Sequence, residues 1–247
     1  MINVQAIIAV CRKSANYKGL QLPEIYVNND EFIRRYAESG GGALCLNPKS
    51  FKMIPLQLML EEPLNPWVSE RTLLVAPEFP TETLDMHRFA IVVHETGHAI
   101  LMANKIPNSE AHAYIFEIQI IIENCGNPIP GLEFNYSDAE ADTYLQSRMG
   151  QFRISLGKGN EAGSGKLRSV LEGLSELRFP KTVAAFKDYL EFSRRAAGNI
   201  AAREENLGGQ AKQTAPQTGF FNMKVPLRES QEINIKNEDT SLGPKGK

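Results

Sequence analysis

The segment that most constrains this chain is His94-Glu95-Thr96-Gly97-His98, enclosed by Phe89-Ala90-Ile91-Val92-Val93 before it and Ala99-Ile100-Leu101-Met102 after it. The run is apolar and compatible with a helix. A helix brings residues i and i+4 to one face, so His94 and His98 can direct two imidazoles at one metal ion. Glu95 sits beside that face, where a carboxylate can take the proton of an activated water. The spacing suits zinc, which takes nitrogen ligands at about 2 Å and works with a nearby base that is not itself a ligand. The expected cofactor is Zn2+, the expected ligands include His94 and His98, and Glu95 is the expected general base.

Length and composition set the frame for such a site. The 247 residues suffice for one large domain or a domain with an appendage. Hydrophobic content of 42% and charged content of 23% are those of a globular protein. A net charge of -2 offers no electrostatic case for nucleic acid or an anionic membrane as the main partner. The three cysteines, Cys11, Cys45 and Cys125, are far apart and form no CxxC, so they read as buried small residues rather than a disulfide framework. No apolar stretch approaches the roughly 20 residues of a membrane span. Ala6 to Val10 is too short for a secretory signal and reads as part of a first helix. The expectation is a soluble, cytoplasmic-type chain without a cleaved signal.

The N-terminal third reads as mixed helix and strand. A helix ending near Asn16 precedes strands at Leu22 to Val27, Ala43 to Leu46 and Arg71 to Ala76, with a weaker one at Ile54 to Leu60. Asn29-Asp30-Glu31 can start a short helix through Tyr36, ended by Gly40-Gly41-Gly42. The remainder is helical: Leu84 to Asn104, Glu110 to Asn124, one starting near Ser137, Val170 to Leu177, and Thr182 to Leu207. The expected fold class is α+β, a small mixed sheet packed on a helical half that carries the histidine helix. The predicted domain is 1–207. Residues 208–247 read as a disordered tail with one apolar island, Phe220-Phe221-Asn222-Met223.

A catalytic zinc site normally has three protein ligands and an open position. Downstream, Ser137-Asp138-Ala139-Glu140-Ala141-Asp142 supplies acids on a helix. With HExxH, this run resembles the gluzincin group of zincin metallopeptidases, in which a later helix bears E-x-x-x-D. Gly97 fits the HExGH form of that group, and the resemblance covers about Arg71 to Arg148. It implies that the first acid binds zinc and the later Asp hydrogen-bonds a ligand histidine. Matching Ala141-Asp142 puts Asp138 at the ligand position, where the group has Glu. Glu140 is the alternative ligand, although Ser137 and Glu140 also spell a capping box that would fold Glu140 back onto the helix start. Asp142 is then the residue that orients a histidine. In proteases of this kind, an exposed edge strand can hold an extended substrate.

Other residues carry less. His87 reads as a helix-surface residue and Tyr144 as a packing residue. His112 and Tyr114 have the chemistry to donate to an oxyanion but read first as ordinary helix residues. Trp67 either borders a cleft or covers the core, and Arg203-Glu204-Glu205 reads as a solvated helix end.

The resemblance implies a zinc endopeptidase acting on a protein substrate. The compact domain and polar tail are similar to bacterial effector metalloproteases delivered into host cells by specialised secretion systems, among them a Legionella effector that acts on host actin. Intracellular regulatory metalloproteases that cut a repressor are the alternative. A non-catalytic module stabilised by zinc, with a fourth ligand from Glu140, His112 or Cys125, is a further reading. The last is a metal-free helical core with packed histidines.

Overall fold

The computed structural model describes residues 3–28, 42–46, 71–76, 79, 86–132, 135–159 and 162–213, with side chains through residue 199. The expected elements at 29–41 and 54–60, Trp67 and the island at 220–223 lie outside the described residues. So does most of the expected tail.

Among the described residues the architecture is mixed α and β, and mostly helical. Helix α1 (Val4–Tyr17) leads to strand β1 (Tyr26–Asn28), followed by β2 (Ala43–Cys45) and β3 (Thr72–Val75). Six helices come after: α2 (Met86–Ala103), α3 (Glu110–Asn124), α4 (Asp138–Ser147), α5 (Met149–Gly157), α6 (Ser164–Glu172) and α7 (Pro180–Gln213). Contacts group residues 1–198 into one compact unit and 199–247 into a second. No described helix is long and apolar enough to cross a membrane.

The sheet is three-stranded in the order β1-β3-β2. β1 runs parallel to β3 with Tyr26 opposite Thr72, and β2 runs antiparallel with Cys45 opposite Leu73. All four β3 residues are buried, as expected for a central strand covered on both faces. β1 is shorter than the expected strand from Leu22. Leu22 and Ile25 are buried without being part of it, because Pro23 has no N–H to donate to a ladder.

Helix α2 forms the centre of the unit. Phe89 to Gly97 and Ala99 to Leu101 are all buried, so no side of it is left to water along those turns. It packs against α1, α3 and the sheet. Gly97 allows the approach of α3: a Cβ added there would stand 3.1 Å from a ring carbon of Phe116. The helix stops at Lys105, whose φ of 55° is left-handed, with Ile106 N–H returning to Leu101 O. Asn104 secures this end, donating to Ile100 O and Gln21 O and accepting from Gln21 N–H.

Helices α1, α3 and α4 start where side chains satisfy their first N–H groups, with Asn3 accepting from Ala6 N–H at the start of α1. Ser109 caps α3, and Ser137 with Glu140 forms the expected capping box on α4. Two helices depart from the expectation. α5 was not expected, and the helix expected at Val170 to Leu177 lies upstream as α6. Gly163, with φ 100°, marks the start of α6, and a turn through Ser175 to Phe179 replaces its expected end. That turn buries Phe179 and leaves Leu177 exposed.

Candidate metal centre

The centre is built from two consecutive helices and the loop between them. α2 presents His94 and His98 one turn apart, their rings 4.9 Å between centroids and nearly perpendicular. α3 begins at Ser109, so Glu110 stands in its first turn, pointing a half-exposed carboxylate at both rings. His94 Nε2 lies 3.2 Å from Glu110 Oε2, and His98 Nε2 lies 3.5 Å from Oε1. The three ligand atoms fall within 4.8 Å of one another. A tetrahedral site with bonds of about 2 Å has ligand–ligand edges of roughly 3.3 Å, so the three side chains lie close enough to hold a metal ion.

The far nitrogen of each ring is also held. His94 Nδ1 is 2.8 Å from Glu117 Oε2, and His98 Nδ1 is 2.6 Å from Asn108 Oδ1. An acceptor at each Nδ1 keeps its proton there and leaves the Nε2 lone pair for a metal. Glu117 is wholly buried, and its second oxygen accepts from the Tyr144 hydroxyl at 2.7 Å. The Tyr114 ring lies 4.7 Å from the His94 ring.

Electrostatics favour a cation at this position. Burial alone would lower the pKa of His94, but hydrogen bonds to Glu110 and Glu117 and the surrounding carboxylates outweigh it and raise the value to about 10. Glu110 is held down at about 2, first by its bond to His94. His98 is lowered by burial and by repulsion from His94, so its imidazole is neutral near pH 7. Among the described residues, the carboxylates of Glu95, Glu110 and Glu117 surround His94, while Arg148 stands near Glu117 and Lys158 acts on Glu110 from further away.

The sign of the pH dependence follows. His94 is protonated at neutral pH in chelator-stripped protein, and a metal must displace that proton. Apparent Zn2+ affinity is therefore expected to rise about tenfold per pH unit between pH 7 and 9. Calorimetry in buffers of different ionisation enthalpy checks this, with about one proton released per ion at pH 7.

Glu95 is buried on the same helix. Burial raises its pKa to about 7, while the His94 charge and a hydrogen bond from Cys45 N–H oppose the rise. That N–H donates to Glu95 Oε2 at 2.7 Å. Leu46 N–H and Gly42 C=O bond to β3, whereas Cys45 N–H points the other way. The sheet thus positions the carboxylate that α2 supplies.

The acids expected to complete the site stand elsewhere. Both Asp138 oxygens are bound by Arg178, at 2.7 and 2.9 Å. Glu140 folds back onto Ser137 N–H and its hydroxyl. Asp142 is buried but orients no histidine. It accepts from Lys181 N–H, Thr182 N–H and the Thr182 hydroxyl, capping α7 from a neighbouring helix. Glu110 occupies the position expected of Asp138, and Glu117 does what was expected of Asp142. The reason is tertiary: α3 lies along the histidine face of α2, while the start of α4 faces Arg178 and α7.

Asp142→Ala is accordingly expected to lower stability by about 1–3 kcal/mol, through buried donors left unpaired, and to leave Zn2+ affinity unchanged. Thermal unfolding and metal titration separate the two effects. A loss of affinity without a loss of stability would return Asp142 to the histidines.

Of the remaining residues, His87 is exposed and stacks loosely on Tyr144, at 5.9 Å. His112 Nδ1 lies 3.0 Å from the Ser109 hydroxyl. Cys125 is one of three free thiols and belongs to the Asp138–Arg178 corner. None of the three joins the metal-capable group, the one such group among the described residues.

The sequence offered two signals for the missed residues. Glu117 is a carboxylate inside the apolar run Ala113 to Ile122, and Glu110, Tyr114 and Glu117 follow the i, i+4, i+7 stripe of one helix face. Compared with families of known proteins, with curated proteins and with solved structures, the chain finds no match.

Proposed function

We propose that this chain is a zinc-dependent endopeptidase of the zincin type, with His94, His98 and Glu110 as ligands and Glu95 as general base. The observation that carries the reading is the convergence of both Nε2 atoms on Glu110 while each Nδ1 is held by its own acceptor. Among the described residues this donor set has three members, as a catalytic site with an open position does, rather than the four of a closed structural one. His112, Glu140 and Cys125, the candidates for a fourth ligand, are committed elsewhere.

A zinc ion held there supplies Lewis-acid activation of water and of a substrate carbonyl. Glu95 takes one proton from the attacking water and later delivers it to the leaving amine as the C–N bond breaks. Burial raises the Glu95 carboxyl above the ordinary carboxylate range in the metal-free chain, the direction that suits a group which must both take and return a proton. Asn108 and Glu117 hold the two imidazoles in register through the cycle. Around Glu110 the E-x-x-x-D pattern of the gluzincins is not kept: four residues after it stands Tyr114, and the next acid on that face is Glu117. By the same resemblance the substrate is a protein, with host actin the first to try and a bacterial repressor the second.

The test is metal analysis of purified chain, followed by incubation with actin and with host and bacterial lysates, with and without a chelator. About one zinc per chain and chelator-sensitive fragments are expected. Zinc without fragments from any source would move the site to a structural role, and absence of zinc would end the metal reading.

A further inference from the structure

We propose that Tyr144 and Arg148 are positioning residues for the metal centre, acting on His94 through the buried carboxylate of Glu117. The inference rests on the metal reading above and extends it one layer outward. Glu117 Oε2 is taken by His94 Nδ1, and Oε1 by the Tyr144 hydroxyl. Arg148 Nε stands 3.7 Å from that same Oε1, too far for a hydrogen bond but close for its charge. The atom is buried without a hydrogen-bond partner.

Arg148 reaches the site by a second route. Its guanidinium lies 5.4 Å from the centre of the Tyr114 ring, which in turn packs on the His94 ring. Tyr144 and Arg148 are four residues apart, so the end of α4 presents a phenol and a cation on one face. Both meet α3 at Glu117. A carboxylate free to rotate would trade its bond to His94 for others, and these two contacts fix its plane. The imidazole is then aimed before any metal arrives, which is how outer partners contribute to affinity. α4, expected from its acids to supply a ligand, instead supplies the support behind one.

The test uses full-length wild type, Tyr144→Phe, Arg148→Met and Arg148→Lys, with Asp142→Ala as a control for simple loss of stability. Zn2+ affinity is read by competition with a chromophoric chelator, and the ligand field by the visible spectrum of the Co2+-loaded chain. Tyr144→Phe and Arg148→Met are each expected to weaken Zn2+ binding roughly 10- to 100-fold and to shift the Co2+ bands. Arg148→Lys is expected to recover part of both changes, and Asp142→Ala to alter neither. Tyr144→Phe removes a single oxygen, so it carries the test if Arg148→Met does not fold by circular dichroism. Wild-type affinity and an unchanged Co2+ spectrum in Tyr144→Phe, and in Arg148→Met where it folds, would overturn the proposal while leaving the metal site standing. A wild-type chain that binds neither ion would overturn the metal reading, and this inference with it.

Discussion

Glu95→Gln is expected to bind zinc as tightly as the wild type and to hydrolyse substrate at least 100- to 10,000-fold more slowly, the usual scale for loss of a positioned proton-transfer group. The substitution keeps the shape of the side chain, and an amide oxygen can still accept from Cys45 N–H, the bond that now holds Oε2 at 2.7 Å. It removes the ability to take a proton, together with a negative charge that stands behind the ligand residues rather than among them. Metal content should not change, because the group that could hold the ion comprises His94, His98 and Glu110. The informative pairing is rate against bound zinc on the same preparation. Hydrolysis by Glu95→Gln at the wild-type rate would remove Glu95 from the chemistry, and loss of zinc would make it a ligand.

Glu110→Gln and Asp138→Asn form the second pair, with opposite expected outcomes. Glu110 faces both Nε2 atoms, at 3.2 and 3.5 Å. Replacing an anionic oxygen donor by a neutral amide should weaken Zn2+ at least 100-fold, more than the usual effect of changing a residue behind a ligand. The side chain is about half exposed, so the folded chain should tolerate the change well. Asp138 is tied to Arg178 at the surface. Asp138→Asn should cost at most about 1 kcal/mol of stability and leave the metal in place. Equilibrium dialysis against buffered Zn2+ distinguishes the two. The reverse pattern, with Asp138→Asn losing zinc and Glu110→Gln keeping it, would restore the ligand set suggested by the resemblance.

This contrast marks where the sequence stopped being legible. His94, Glu95 and His98 lie within five residues of one helix, and helical geometry alone relates them. The end of the helix was readable to within one residue, because apolar residues fill it from Phe89 to Met102 and Pro107 follows. The capping box at Ser137 and Glu140 was equally local, and the structure contains it. The third ligand is not a local matter. Glu110 looks like any acid in the first turn of a helix, and Asp138 looks the same. Only the docking of α3 on α2, close enough that Gly97 approaches Phe116, separates them.

Asp142 carries the same lesson. The resemblance implied that it partners a histidine, yet its oxygens are used by the first N–H groups of α7, almost 40 residues further along. A buried carboxylate binds whichever donors the fold brings to it, and spacing within its own helix does not reveal them. By itself, then, the sequence determined the α+β class, the central helix and the two imidazoles with their adjacent carboxylate, because helical periodicity and capping operate over a few residues. The tertiary structure decided which carboxylate meets those imidazoles and which ones stand behind them, because that depends on how helices distant in sequence pack and pair their buried charges.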